Sequence, residues 1–392
     1  MEFEFWYLIL VPALFAAGWW ARGLERRDQK NNEEAVPEAY ARAVALLMGS
    51  DPEGGIEALV DVARNDPDMV ELHQVLGLMF RRRGEFEKAI RLHRHLAERS
   101  DVDEATHRLA LRSLAEDYLQ AGLFGRAESV YRELSQDPTE YLGALKALLG
   151  IYVTEHDWTQ AVDVATKLEK QAGEDHAVEI AHFYCELAEI AVKRKDVSFA
   201  ADCLGRALDK NPQSVRARIA LGALAASGGD VAEALRQWRG VLDEHPEYAP
   251  LVVGRIADAM KAAGDEDGAL AFLREASEKD ASPDVLITAI ERLVAWHGQD
   301  KAVEFTKTLL KAHPSLLAFS VLTGLKAKEE GASEETVLLG RLLERYARSH
   351  TRYQCAQCGF MASSFAWHCL GCGAWDSFPA YRELENKARS GY

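Results

Sequence analysis

Seven alanines, Ala89, Ala127, Ala161, Ala200, Ala234, Ala269 and Ala302, follow one another at intervals of 38, 34, 39, 34, 35 and 33 residues. No other feature constrains the chain as tightly. Self-similarity at a near-constant period means one supersecondary unit repeated, each copy stacking on the next. Around the alanines, apolar residues recur at i, i+3, i+4 and i+7 in blocks of roughly 12–16 residues, with short turns of Gly, Asp or Pro between, which is the signature of paired amphipathic helices. The clearest copy is Leu221, Gly222, Gly229, Ala234, Trp238, Val241 and Pro246, and the next is Leu187, Ala188, Ala200, Leu204, Ala207 and Pro212. In each, Leu-Gly or Leu-Ala on the first helix sets a knob beside a gap. The second helix can approach closely only where it faces the first with alanine, and proline stops it.

A period near 34 with small residues at fixed offsets is the tetratricopeptide pattern. The fold expected is all-α, a tetratricopeptide-repeat superhelix of about eight or nine copies over residues 37–349, with residues 37–66 and 315–349 as degenerate end caps. The concave face of such a stack binds extended peptides or partner domains. One basic cluster stands out within it: Arg81, Arg82, Arg83, Arg91, His93, Arg94, His95 and Arg99. It reads either as a solvated face with favourable helix-end charges or as a docking patch for an acidic partner or anionic headgroups.

Phe5 to Ala21 is an uncharged apolar run. It is at the short end of what spans a bilayer. Trp6 and Tyr7 flank one side and Trp19 and Trp20 the other, as aromatic belts do, and Pro12 is tolerated in a membrane helix. Arg22, Arg26, Arg27 and Lys30 follow the run, while Glu2 and Glu4 precede it. By the positive-inside rule the bulk of the chain is then cytoplasmic. A cleaved signal peptide would carry its positive charge on the other side. Residues 1–21 are therefore expected to be a transmembrane anchor and residues 22–36 a polar linker.

At the other end, Cys355, Cys358 and Gly359 repeat as Cys369, Cys372 and Gly373. Each C-x2-C-G loop converges two sulfurs, and its glycine permits the left-handed turn behind them. Four thiolates make a tetrahedral site for zinc or iron. His368 adjoins the site and is read as a packing residue. Tyr353, Phe360, Phe365, Trp367, Trp375 and Phe378 supply a small core for residues 350–392, a module that needs both core and metal to fold. Its aromatics exceed what so small a core can bury, so Trp375 or Phe378 is expected to touch helices of the later repeats. The remaining cysteines, Cys185 and Cys203, sit alone in helical patterns and read as small buried residues.

Composition narrows the function. With 46 Lys+Arg against 62 Asp+Glu, the net charge of −16 disfavours a nucleic-acid binder. Six cysteines, four of them clustered, are no disulfide scaffold. No Walker loop, dinucleotide fingerprint, H-E-x-x-H helix or nucleophile elbow is present, so no catalytic residue is assigned and an enzyme is not expected.

The anchor, the array and the knuckles within YQCAQCGF and WHCLGCGAWDSF together resemble the lipopolysaccharide assembly protein B family, over the whole chain. The knuckle module is similar to rubredoxin, departing from it at Ala356 and Leu370, where rubredoxin knuckles usually carry proline. The resemblance implies Cys355, Cys358, Cys369 and Cys372 as ligands of one iron per chain, or of zinc in its place. It further implies an adaptor at the inner membrane, single-pass with its bulk in the cytoplasm. That adaptor would help a membrane-anchored AAA+ protease degrade the deacetylase that commits carbon to lipid A, opposed by an inner-membrane lipopolysaccharide sensor. A scaffold for lipopolysaccharide enzymes and an electron-transfer protein are the alternatives.

Overall fold

The computed structural model describes residues 40–49, 51–65, 69–279, 282–312, 316–327, 332–350 and 353–381. The expected anchor at residues 1–21 and the linker at 22–36 lie outside them. Among the described residues, no helix is long and apolar enough to cross a membrane.

The described chain runs as consecutive helices taken two at a time. They are α1 (40–48) and α2 (Pro52–Asn65), α3 (Val70–Arg82) and α4 (Phe86–Ala97), α5 (Glu104–Gln120) and α6 (Phe124–Leu134). Next come α7 (Tyr141–Glu155) and α8 (Trp158–Ala172), α9 (Ala177–Lys193) and α10 (Val197–Lys210), α11 (Val215–Ser227) and α12 (Val231–Glu244). After a 3-10 turn at Pro246–Tyr248 follow α13 (Ala249–Ala262) and α14 (Glu266–Lys279), α15 (Pro283–His297) and α16 (Gln299–Ala312), α17 (Leu316–Lys326) and α18 (Glu334–His350). Packing divides the chain into two compact units, one ending at Ile151 and the other beginning at Tyr152. The repeat pattern expected from the sequence is present in both.

All seven period alanines have 0% of their surface exposed. The turn ahead of them is as regular. Five residues before six of the alanines the backbone turns left-handed: Gly84 (φ 76°), Gly122 (73°), His156 (58°), Lys195 (62°), Gly229 (84°) and Gly264 (87°). The residue after each donates its N–H back to the carbonyl five positions earlier, as Glu85 does to Phe80 (2.9 Å), Asp157 to Tyr152 (2.9 Å) and Asp230 to Ala225 (3.0 Å). That bond closes the first helix in a Schellman turn. In four copies the same residue is an aspartate that caps the second helix, accepting from the N–H of Gln160 (3.2 Å), Phe199 (3.0 Å), Glu233 (3.0 Å) and Gly268 (2.9 Å). Two residues thus stop one helix and start the next.

The gap beside the leucine knob is filled by an aromatic ring from the second helix. A methyl group on Gly77 would sit 2.3 Å from His93 Nε2, and one on Gly222 would sit 2.4 Å from Trp238 Nε1. The buried alanine admits the second helix, and a ring four residues further on occupies the glycine gap. Trp238 Nε1 donates to the Ile219 carbonyl at 3.1 Å, so its polar atom is satisfied inside the core.

Within the first unit, four of the eight residues of the basic cluster meet carboxylates. Arg81 pairs with Glu116 and, at 3.3 Å, with Asp117; His93 Nδ1 meets Asp117 Oδ2 at 2.5 Å with both side chains fully buried. Arg83 pairs with Glu85 at 2.8 Å, and Arg94 donates to the Tyr118 hydroxyl at 2.9 Å. Arg99 pairs with Asp101 at 2.6 Å and lowers that carboxyl to about 2. Arg82, Arg91 and His95 remain exposed.

Candidate metal centre

Residues 353–381 fold as two copies of one backbone device. Strand β1 (Tyr353–Gln354) pairs antiparallel with β2 (Met361–Ala362), and His368 bridges Trp375 in the same sense. In the first knuckle the Cys355 N–H donates to the Phe360 carbonyl (2.9 Å) and the Gly359 N–H to the Cys355 carbonyl (3.0 Å). In the second, Cys369 donates to Ala374 (2.9 Å) and Gly373 to Cys369 (2.8 Å), at identical offsets. Gly359 and Gly373 have φ of 76° and 74°, the left-handed turns expected of them. The Ala356 N–H donates to the Ser377 carbonyl at 2.7 Å, tying the first knuckle to the chain beyond the second.

The sulfurs converge. Cys355 and Cys372 lie 3.8 Å apart, Cys358 and Cys369 lie 3.7 Å apart, and all four are within 4.8 Å of one another. An ion held tetrahedrally at about 2.3 Å from each thiolate sets sulfurs about 3.8 Å apart, so the residues present fit a four-thiolate ion. Cys355 and Cys369 are buried, whereas Cys358 and Cys372 face solvent. The Ser377 side chain beside Cys355 lowers its thiol to about 6, whereas at Cys358, against the lowering by the Phe360 backbone hydrogen bond, desolvation and the three neighbouring thiols push the thiol up to about 12. His368 is no part of this quartet; its ring lies 4.5 Å from that of Trp375, a packing role as expected, and burial lowers its pKa.

The module is seated on the second unit's helices. Trp375 stacks on His182 of α9 (4.6 Å, 19°), meets Phe183 edge-on (5.9 Å, 79°) and approaches Trp158 of α8 (6.3 Å). The Arg216 guanidinium of α11 lies 6.0 Å above the same ring. Burial works against that charge, and Glu186 and Glu189, paired to it at 2.8 and 2.6 Å, raise its pKa all the same. Asp376 accepts from His182 Nε2 at 3.0 Å. Trp367 stacks on Tyr248 (5.8 Å, 20°), the Tyr353 hydroxyl reaches Asp284 (3.3 Å), and the Tyr381 hydroxyl donates to the Pro246 carbonyl (3.2 Å).

Docking by Trp375 onto the array is as expected, but its ring is met by α8, α9 and α11 in the middle of the array, and the contact with a later repeat is made by Tyr353 through Asp284 of α15. Phe378 turns inward and packs with Tyr353, Cys355 and Cys369 in the module's own core. The sequence pattern does not distinguish His182 and Arg216. Their only sequence signal is a polar residue inside an apolar helical run, which a solvated face also produces. Cys185 and Cys203 are buried as expected, and burial pushes the Cys185 thiol up to about 12.

Fold and site together define a helical-repeat protein with a four-cysteine metal-binding module packed on its repeats. A family profile described as a rubredoxin metal binding domain matches residues 353–379, and a tetratricopeptide repeat profile matches residues 185–249. The lipopolysaccharide assembly protein B of Escherichia coli (strain K12) is 32% identical over 384 residues, covering 96% of this chain and 98% of that one. Its namesake in Haemophilus influenzae is 26% identical over 395 residues, with the same coverage. The chain belongs to the lipopolysaccharide assembly protein B family.

Proposed function

We propose that this protein is a non-enzymatic inner-membrane adaptor in lipopolysaccharide assembly, anchored by residues 1–21 with its bulk in the cytoplasm. Its action would be to present the lipid A committing deacetylase to a membrane-anchored AAA+ protease, under control of an inner-membrane lipopolysaccharide sensor. The observation that carries this reading is end-to-end similarity to relatives named for lipopolysaccharide assembly, in a chain whose folded parts offer binding surface and a structural metal site. Helical repeats act by bringing partners together. The thiolates of Cys355, Cys358, Cys369 and Cys372 would hold one iron, or zinc in its place. That ion supplies a cross-link between the two knuckles, and the surrounding residues hold the module against α8, α9 and α11. The test is the lifetime of the deacetylase in cells with and without this protein. A shorter lifetime in its presence supports the adaptor; an unchanged lifetime with altered enzyme assembly supports a scaffold.

A second reading, electron transfer, draws on the solvent-facing Cys358 and Cys372. A reversible metal couple oxidised or reduced rapidly by a partner supports it, and a zinc-loaded protein with normal deacetylase turnover removes it.

A further inference from the structure

The last helix of the array carries a face that a terminal helix ordinarily makes polar. Helix α18 rests on α17 through Gly340, which is buried and where an added methyl would lie 3.4 Å from the Thr323 carbonyl oxygen. At 100° per residue, Leu338 and Leu342 point about 160° and about 200° away from that contact, straight outward. They are 57% and 56% exposed, and Leu339 beside them is 44% exposed. On the same outer face lie Glu335 and Arg345, both exposed and neither ion-paired among the described residues.

These four positions are symmetric about residue 340. The leucines lie two residues on either side of it, and the opposite charges five residues on either side. A two-fold axis through the outer face at that point lays Leu338 against Leu342 of the partner subunit. It sets Glu335 beside Arg345 of the partner subunit, and does so twice. An isologous contact requires this self-complementarity: one patch whose apolar centre and charged ends match a rotated copy of themselves. Leu339 widens the apolar centre. We propose that α18 pairs antiparallel with α18 of a second copy, making the protein a homodimer joined through the last helix of the array. The assignment does not depend on the adaptor reading.

The test uses the full chain in detergent, with the protein mass read by light scattering across a dilution series. Two chains per particle are expected. Glu335→Arg and Arg345→Glu each turn two attractive pairs into repulsive ones, so each should raise the dimer dissociation constant about tenfold or more. The double variant Glu335→Arg/Arg345→Glu should restore the dimer. The two single variants, differently tagged and mixed, should pair with each other in preference to themselves. Both positions are exposed, so helicity and metal content should not change. A monomer at every concentration overturns the proposal, as does a dimer indifferent to both reversals. Failure of the mixed variants to pair also overturns it. Coverage of the face by this chain's own residues 382–392, by lipid or by another protein gives one of those results.

Discussion

Lys195 and His156 hold a left-handed backbone that four other copies of the same turn give to glycine. A side chain there costs roughly 1–2 kcal/mol against the right-handed region, offset in part by glycine's greater unfolded-state freedom. Lys195 is exposed, so Lys195→Gly should raise stability by about 0.5–1 kcal/mol, seen as a higher urea midpoint at unchanged m-value. The reverse holds at Gly222, whose missing side chain makes room for Trp238. Gly222→Ala should cost about 1–3 kcal/mol by overpacking, since neither helix can shift without disturbing its neighbour. An unchanged midpoint would mean that the ring relocates freely. Both effects were half-legible in the sequence. Gly-Asp at 229–230 and 264–265 announces the turn, but Lys-Asp at 195–196 does not announce a left-handed residue. Only its place in the repeat does.

Among the elements, the knuckle pair is the most fully written in sequence, because two sulfurs three residues apart and a following glycine leave the local backbone little choice. What it rests on was not written. The seat includes His182, Phe183, Trp158, Arg216, Tyr248 and Asp284, contributed by α8, α9, α11, the 3-10 turn and α15, and nothing local to those helices says which of their faces is covered. Two predictions belong here. Cys358→Ser should abolish stoichiometric metal, read by elemental analysis, and open residues 353–381 to protease while the helical signal persists. Acidification should act in the same direction, since protonating thiolates releases the ion; metal content that persists down to about pH 3 would contradict thiolate ligation. Separately, His182→Ala removes both the ring under Trp375 and the donor to Asp376. The module should detach more readily, with faster exchange of the Asp376 and Ser377 amides, while metal stays bound. If instead metal is lost together with docking, seat and site fold as one unit.

At the scale of the whole molecule, the proposed function joins three parts: an anchor, a binding array and a metal module. Confinement to the membrane raises the effective concentration of one partner near another without any new contact. Removal of residues 1–21 should leave the array and module folded, by circular dichroism and metal content, yet abolish accelerated turnover of the deacetylase in cells. Restoring turnover with an unrelated membrane span would show tethering alone to be sufficient; normal turnover by the soluble form at native abundance would exclude the tethered mechanism. The basic cluster around Arg81 is a caution against reading partners from charge runs. Arg83 and Arg99 meet carboxylates two residues away, Glu85 and Asp101, but those that pair with Arg81, Glu116 and Asp117, come from α5, more than thirty residues further on.

The sequence by itself determined the helical repeat, its period and buried alanines, the turns that carry glycine, and the four-cysteine quartet. Each of these follows from contacts between residues close in the chain or from a spacing that recurs, and local sterics, helix periodicity and thiolate convergence act over such distances. The tertiary structure alone decided that rings fill the glycine gaps, that Arg81 and His93 find their carboxylate partners on α5, and that the metal module lies on α8, α9, α11 and the 3-10 turn, with one further contact to α15. Those outcomes depend on which distant surfaces are complementary once folded. Burial and pairing at long range are properties of two faces together, and neither face carries the other's identity in its own residues.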